Sequence, residues 1–342
     1  TCTITLTTDD ETYTVKLGDY STMDSQRYMD IGDGNVYLAA SDPLDAYDVE
    51  LKDLIANDDV PYFDEVSQIR FAGSEDYSVI YDENGKSICA DDVYFAADGK
   101  PLDTSRVNSY ISKLRYLDLT DYVTYKVTEE ELSAYGLDDP ELSVSVDYTD
   151  DGTSDTFVLH ISRDPAEKKA AADAENEDTL DITAYARVGD SKIIYQISGS
   201  SYRSLMAAGY NDLRHQEIFS GDFDDVTGID VTLDGETYTL TAQKDGKERT
   251  WLCGEAEIEI GDLQDALEAL TAEEFTSEKA AGQQEISLTL HLDHEDEPEL
   301  TIALYRCDGS KCLAVVDGKS VAYVPRGEMV TLAEAVRAIA LN

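Results

Sequence analysis

The sequence is short of positive charge. Its 342 residues include 26 lysines and arginines against 73 aspartates and glutamates, a net charge of −47 at pH 7. A surface with this balance repels nucleic acid and anionic lipid headgroups, so we expect no nucleic-acid partner. It suits a protein that faces solvent, or one that meets cations or basic partners. The apolar content of 42% is that of a folded chain rather than of an acidic disordered tail.

The chain also lacks any hydrophobic run of the roughly 20 residues that a membrane-spanning helix needs. It shows no signal peptide, since it opens directly on an alternating strand, Thr1–Thr7. An opening inside a strand is typical of a piece of a longer protein. An upstream signal or anchor, a lipid or a transmembrane helix, would then lie outside this sequence. The chain itself would meet the membrane only through that anchor.

Cysteine is scarce, and its spacing does not fit a zinc finger. The five cysteines are an odd number, which argues against a fully paired disulfide framework. None belongs to a CxxC pair, so we expect no zinc site. Cys307 and Cys312 flank a predicted hairpin turn, and two alternatives are open for them. They form a disulfide across the two strands, or they stay as half-buried free thiols.

Histidine occurs four times, and one pair has ligand-like spacing. His291 and His294 precede an acidic run, but residues three apart on a strand point to opposite faces. They would share a metal only if a turn begins at Asp293. The other two, His160 and His215, are interpreted as structural or solvated side chains.

One acidic stretch resembles a calcium-binding loop. With Asp147 in the first position, Asp151 and Gly152 fall where an EF-hand loop has a ligand and a glycine. Val158 stands where the loop needs its last glutamate, and the flanking segments are strands. A hairpin turn is the favoured interpretation, and calcium binding is the alternative. No nucleophile elbow, H-E-x-x-H or phosphate-binding loop is present. We therefore assign no catalytic residue, no metal and no cofactor.

Alternating strands and amphipathic helices predict an α+β fold. Three stretches share one pattern: an apolar strand, a Gly/Asp turn, a second strand ending near Tyr37, Tyr195 or Tyr323, and then a helix. We predict repeated modules, each an antiparallel β-sheet of two hairpins with a helix packed on one face. The predicted domains are a truncated first module that keeps its second half only (1–60), a central module (61–220) and a third, repeated module (221–342).

The spacing of apolar residues also locates individual elements. Helices are expected over residues 43–55, 103–117, 201–208, 261–270 and 330–341. Residues 164–181 are expected to form an exposed loop, and Ser87–Phe95 is expected to form a strand.

Two motifs in the central module carry a family resemblance. The first is Tyr135-Gly136-Leu137-Asp138-x-Pro140, which predicts a helix stop and a proline-closed turn before a strand. The second is formed by Tyr185, Arg187, Gly189, Asp190 and Tyr195. Together they resemble the bacterial family DUF4340, closely over about residues 60–220 and more loosely on either side. The resemblance implies a membrane-tethered protein outside the cytoplasmic membrane, encoded beside gliding-type ABC transport components. It supplies no catalytic residues, since no reaction is established for the family.

These observations predict a non-catalytic binding or scaffold protein outside the cytoplasm, accessory to a gliding-type ABC transport system. Its expected partners are the permease and ATPase of that system, or a cell-wall ligand. Two alternatives stay open. One is a structural spacer or adhesin at the cell surface. The other is a hydrolase of extracellular polymers, which would need two carboxyl groups within about 10 Å of each other and a raised pKa on one of them.

Overall fold

The computed structural model describes residues 2–47, 49–171, 182–245 and 248–340. The chain forms two compact units, residues 1–58 and 59–342. Helices and strands occur together, and the three sheets are antiparallel, which confirms the predicted α+β class.

The first unit is a four-stranded antiparallel meander. Its strands, in the order in which they pair, are β1 (Cys2–Thr7), β2 (Thr12–Ser21), β3 (Gln26–Asp30) and β4 (Val36–Ala39). Arg27 in β3 binds both carboxylate oxygens of Asp42 at 2.6 and 2.8 Å, and it donates to the Gly18 carbonyl at 2.7 Å. This contact holds the segment that leaves β4 against the neighbouring strands.

The predicted helix over residues 43–55 is wrong. Two short 3-10 turns, Leu44–Ala46 and Leu51–Leu54, occupy this range instead. Leu51 and Leu54, which the helical spacing placed on a buried face, are 51% and 69% exposed. A helix of this length is stabilised mainly by burying an apolar face, and these leucines bury too little surface to do so.

The second unit contains two nine-stranded sheets. The elements of the first are β5 (Glu65–Gly73), β6 (Tyr77–Tyr81), β7 (Tyr94–Ala96), β8 (Pro101–Leu102), α1 (Thr104–Arg115), β9 (Tyr122–Thr124), β10 (Leu142–Asp150), β11 (Thr153–Arg163), α2 (Pro165–Ala171), β12 (Ala184–Val188), β13 (Ile194–Ile197), α3 (Gly199–Met206) and α4 (Tyr210–Leu213). A 3-10 helix, Glu129–Tyr135, precedes β10. The strands lie in the order β8-β7-β6-β5-β10-β11-β12-β13-β9.

The elements of the second nine-stranded sheet follow in the chain. They are β14 (Val226–Leu233), β15 (Glu236–Asp245), β16 (Glu248–Cys253), β17 (Ala256–Ile258), α5 (Gly261–Glu268), β18 (Glu274–Phe275), β19 (Gln284–Leu292), β20 (Glu299–Arg306), β21 (Lys311–Val316), β22 (Lys319–Pro325) and α6 (Arg326–Ala340). The order β17-β16-β15-β14-β19-β20-β21-β22-β18 matches that of the other sheet strand for strand. The helices α5 and α6 contact each other and share one apolar core with these strands.

The helix α1 shows how local signals build the first of these sheets. Its N-cap is Asp103, whose side chain accepts hydrogen bonds from the next free backbone N–H groups at 2.8 and 3.2 Å. Val107 and Leu114 are among the residues that form its buried face, as the spacing predicted. The buried Tyr110 hydroxyl donates to the Leu205 carbonyl at 3.0 Å and so ties α1 to α3.

The stretch before β10 joins several elements through one carboxylate. Gly136 ends the 3-10 helix with a φ of 69°, a left-handed conformation that glycine adopts without strain. Glu141 then accepts hydrogen bonds from the backbone N–H of Arg163 and the hydroxyl of Tyr202, both at 2.8 Å, and pairs with Lys168 at 2.6 Å. Burial raises the pKa of Glu141, but these three donors outweigh burial, and the pKa lies below its ordinary value.

The predicted strand Ser87–Phe95 is wrong over most of its length, since β7 covers only Tyr94–Ala96. Before β7 the chain turns, with the Asp92 N–H donating to the Cys89 carbonyl at 3.1 Å. The Ser87 hydroxyl donates to the Asp92 carboxylate at 2.7 Å. Such local bonds compete with the ladder of a sheet and favour a turn.

Two domain boundaries were predicted, near residues 60 and 220. The observed boundary between residues 58 and 59 lies close to the first. The second predicted boundary, near residue 220, falls inside the larger unit, where Phe219 and Phe223 belong to one apolar core. This boundary stays a prediction. Within the predicted loop 164–181 the structure has α2, and residues 172–181 lie outside the described residues. None of the helices in the described ranges has the length and apolar character that crossing a membrane requires.

Candidate functional site

The segment Gly209–Phe219 connects the two nine-stranded sheets, and we call it the linker. It is hydrogen-bonded to both sides. The Leu213 carbonyl accepts from the backbone N–H of Asp103 at 3.0 Å, and the Ile218 N–H donates to the Leu270 carbonyl at 2.9 Å. Side chains of the linker therefore have fixed positions relative to both sheets. Two features of chemical interest lie along it.

The first feature is a polar cluster around His215. The Nε2 atom lies 2.9 and 3.0 Å from the two carboxylate oxygens of Asp92, whose side chain is only 1% exposed. The sulfur of Cys89 lies within 4.8 Å of the ligand atoms of both residues. Burial lowers the pKa of His215, but the hydrogen bond to Asp92 and the surrounding carboxylates outweigh burial and raise the pKa above its ordinary value.

Two further carboxylates approach the same imidazole. Glu217 lies 3.8 Å from Nδ1 of His215, and one oxygen of Asp103 lies within 4.8 Å of both. We call Cys89, Asp92, Asp103, His215 and Glu217 the His215 cluster. Burial raises the pKa of the Cys89 thiol, so the thiol is not an activated nucleophile. The His215 cluster instead offers sulfur, nitrogen and oxygen donors, which are the types that bind transition metals.

The second feature is a groove of about 620 Å³, which we call the basic groove. Among the residues that the structure describes, those that line it include three cations, Lys100, Arg214 and Lys319, and no carboxylate. The guanidinium of Arg214 lies 5.3 Å from the ring centre of Tyr210 and 4.4 Å from that of Phe275. The amino group of Lys100 pairs with Asp98 at 2.5 Å. Within the described part of the chain, Arg214 and Lys319 have no carboxylate partner.

The absence of carboxylates from the basic groove is unusual for this chain. Aspartate and glutamate make up 73 of 342 residues, so about two would be expected among the ten residues that line the groove. Burial raises the pKa of Tyr210, while the charges of Arg214 and Lys100 lower it less strongly. The tyrosine is therefore neutral at physiological pH and adds no negative charge to the groove.

The two histidines predicted as weak metal candidates have separate partners. The imidazole of His291 lies 2.9 Å from Asp230 on its Nε2 side and 3.3 Å from Glu299 on its Nδ1 side. His294 follows β19 in a loop, where its Nδ1 accepts from the Glu297 N–H at 3.1 Å. The imidazoles of His291 and His294 therefore contact different local partners.

The acidic stretch compared with a calcium loop is a hairpin connection. Asp147 lies in β10 and binds Arg70 through both carboxylate oxygens at 2.5 and 2.8 Å, and Thr156 donates to it at 2.7 Å. These bonds, chiefly those to Arg70, lower the pKa of Asp147. Asp151 lies in the turn between β10 and β11, with a φ of 47°. The favoured hairpin interpretation matches this geometry.

Of the two alternatives for Cys307 and Cys312, the disulfide is not formed. Both thiols are free, with Cys307 exposed and Cys312 buried. The pairing of β20 with β21 places Arg306 opposite Cys312, so Cys307 lies one residue beyond the position that faces it. Burial raises the pKa of the Cys312 thiol to about 11. The alternative of free thiols is the one that the structure supports.

The sequence did not reveal the His215 cluster. Cys89 and Asp92 fell within a predicted strand, and His215 was interpreted as structural or solvated. Asp92 and His215 are 123 positions apart, and only the fold brings them together. The one local signal is the Ser87-x-Cys89-x-x-Asp92 spacing, since serine and aspartate favour turns over strands.

Comparison with known proteins gives one result. The sequence model of a family described as "Domain of unknown function (DUF4340)" matches residues 93–288, a range that extends from just before β7 into β19. It includes α1, the linker and His215, but not Cys89, Asp92 or α6. No curated protein and no solved structure matches the chain.

Proposed function

The chain belongs to the DUF4340 family, whose function is unknown, and on that basis we propose that it is a non-catalytic binding or scaffold protein. Its basic groove would bind a carboxylate-bearing segment of a partner protein. The observation that carries this proposal is the clustering of Lys100, Arg214 and Lys319, with no carboxylate among the described lining residues, in a chain of net charge −47.

The chemistry of Arg214 supports this choice of ligand. A guanidinium presents a planar set of donors that matches a carboxylate, and it keeps these donors free while its face packs on aromatic rings. The contacts with Tyr210 and Phe275 hold the guanidinium in place before a ligand arrives. Lys319 is exposed and adds a further positive charge to the groove. The acidic surface elsewhere would repel the same ligand and confine it to the groove.

We propose the cellular setting that the family resemblance implies. The full-length protein would be anchored in the membrane, face away from the cytoplasm, and act as an accessory to a gliding-type ABC transport system. Its partner would be the permease or ATPase of that system. A cell-wall ligand, or a role as spacer or adhesin, is the alternative.

We also propose that the chain is built from repeated modules. In support, the two nine-stranded sheets share one strand order, and each half of a sheet is a meander followed by a helix. The four-stranded meander of the first unit would be a copy of the second half alone. Each nine-stranded sheet would then carry a helix on one face. The two sheets would offer two similar surfaces to one partner.

A hydrolase is the second candidate, because one carboxyl pair meets two of its requirements, a short separation and a raised pKa on one member. Burial and a hydrogen bond with Asp64 raise the pKa of Asp150. Asp64 lines a cavity of about 310 Å³ together with Tyr81 and Tyr94. Release of reducing ends from purified wall polymer, lost in the Asp150→Asn variant, would support this candidate over the binding role.

The experiment for the binding role is a pull-down from detergent-solubilised membranes of the source cell with the full-length protein as bait. Wild type is compared with the double variant Arg214→Ala and Lys319→Ala, and with Lys16→Ala as a control at an exposed lysine outside the groove. We expect wild type and control to recover the permease and ATPase, and the double variant to recover at least about fivefold less, a loss of about 1 kcal/mol.

Other outcomes would count against the proposal. Recovery of wall glycan, or of nothing with a folded bait, would remove the transport role and favour adhesion or spacing. Equal recovery by wild type and the double variant would show that the partner binds elsewhere. Circular dichroism of each bait confirms that the comparison is between folded proteins.

A further inference from the structure

The His215 cluster offers three different donor types in one place. The Cys89 sulfur, an Asp92 oxygen and an imidazole nitrogen of His215 all lie within 4.8 Å of one another. A tetrahedral zinc site, with bonds of 2.0 to 2.3 Å, needs ligand atoms about 3.3–3.8 Å apart. The distance between Asp92 and Nε2 of His215 is already shorter than this, at 2.9 Å. Side-chain movements that shift the ligand atoms by about 1 Å would therefore place all three at bonding distance from one ion.

From this geometry we propose that Cys89, Asp92 and His215 form a binding site for a single zinc ion. A site with sulfur, nitrogen and oxygen donors favours zinc or cobalt, whereas magnesium and calcium prefer oxygen donors alone. On binding, the thiol proton of Cys89 leaves to solvent, because the thiolate is the form that coordinates. Water would fill the fourth position.

Contacts outside the ligand set hold the donors in place. Ser87 donates to the Asp92 carboxylate at 2.7 Å, and its oxygen also accepts from the Cys89 N–H at 3.2 Å. Glu217 lies 3.8 Å from Nδ1 of His215, beyond hydrogen-bond distance but on the side of the ring from which a carboxylate orients a metal-binding imidazole. The Asp92 side chain is almost fully enclosed, so an ion bound to it would lie below the protein surface.

The position of the cluster gives the ion a structural role. Cys89 and Asp92 belong to the connection between β6 and β7, and His215 belongs to the linker that leads to the other nine-stranded sheet. An ion at this point would fasten the linker to the first sheet. It would not replace the apolar contacts that hold the two sheets together, in which Ile88 packs against the core of the second.

The test uses the full chain, dialysed against a chelator and then titrated with Co²⁺ and Zn²⁺. Cobalt reports its own ligands, since a cobalt–thiolate bond gives a charge-transfer absorption band. The variants are Cys89→Ser and His215→Asn, each with a matched control outside the cluster. Cys253→Ser removes another partly buried free thiol, and His291→Asn removes another imidazole between two carboxylates.

We expect one equivalent of cobalt to bind with a charge-transfer band, and zinc to displace it. The band should disappear in Cys89→Ser, and His215→Asn should bind at least about tenfold more weakly. Both controls should bind like wild type. Absence of binding by the folded wild type, or a band that persists in Cys89→Ser, would overturn the proposal. If His215→Asn does not fold, the cobalt spectrum of Cys89→Ser still decides the matter.

Discussion

Glu141 is the residue whose replacement tests the packing of the family motif most directly. Its side chain is 16% exposed and connects β11 and α3 through the Arg163 N–H and the Tyr202 hydroxyl. Lys168 is 60% exposed, so its pairing with Glu141 contributes little. Two enclosed hydrogen bonds to a charged group at about 1.5 kcal/mol each give a total near 3 kcal/mol.

We expect Glu141→Ala to lower the free energy of unfolding of this unit by about 3 kcal/mol. Glu141→Gln keeps the shape and one acceptor oxygen but loses the charge, so we expect about half of that loss. Urea unfolding followed by circular dichroism measures the size of the effect. Hydrogen exchange of peptides from β10, β11 and α3 locates it. Glu130→Gln, at an exposed position of the same stretch, is the control and should change stability by less than about 0.5 kcal/mol.

The pH dependence supplies a second check with a fixed sign. Because the pKa of Glu141 is lower in the folded protein than in the unfolded chain, its contribution is fully present above the unfolded value of about 4.3. The contribution disappears as the pH falls through the lower folded value. The gap between wild type and Glu141→Gln should therefore stay constant from pH 7 down to the unfolded value, and narrow as the pH falls below it. A loss below about 0.5 kcal/mol at pH 7, or a gap that does not change with pH, would refute the reasoning.

Three other replacements test separate parts of the fold. Asp147→Asn should cost less than about 1 kcal/mol at pH 7, since the pair is partly exposed, and its cost should vanish as the pH falls through the lowered pKa of Asp147. Leu267→Ala, in the core between α5 and α6, should cost about 3 kcal/mol in urea unfolding. Gly282→Ala should be among the most damaging changes measured by thermal unfolding, because its Cβ would lie 1.7 Å from the backbone oxygen of Arg306.

Each of these has a control or a contrary result. For Asp147→Asn, a cost that persists at low pH would show that the lost charge is not its cause. Leu51→Ala is the control for Leu267→Ala, since Leu51 is 51% exposed and its truncation should cost little. Gly327→Ala is the control for Gly282→Ala, because its Cβ would meet nothing within 4 Å. A neutral Gly282→Ala would mean that the backbone there differs from the one described.

Local patterns in the sequence predicted the elements whose stability is local. The α1 helix was predicted from the spacing of its apolar residues, and the hairpins from alternation and turn residues. The helix predicted over residues 43–55 is not formed. The spacing of apolar residues shows which side of a helix they would share, but not whether a core exists for that side to pack against. The strand predicted over Ser87–Phe95 is not formed over most of its length, because the turn preference of Ser87 and Asp92 outweighs the apolar content of the stretch.

The candidate sites depend on contacts that no local pattern contains. Arg214 and Lys319 both line the basic groove, although they are 105 positions apart in the sequence. The sequence gives the charge of each residue, but the linker and β22 decide that the two are neighbours. The two alternatives for Cys307 and Cys312 show the same limit on a smaller scale. The pairing of β20 with β21 places Arg306, and not Cys307, opposite Cys312.

The outermost strands of the two large sheets are very short. They are β8 and β9 in one sheet and β17 and β18 in the other, with lengths of 2, 3, 3 and 2 residues. A long flat edge is a template on which a strand of another molecule can grow, and edges this short offer only a few free backbone groups. The abundant carboxylates add mutual repulsion. The protein can therefore carry nine-stranded sheets at high concentration with little tendency to polymerise through them.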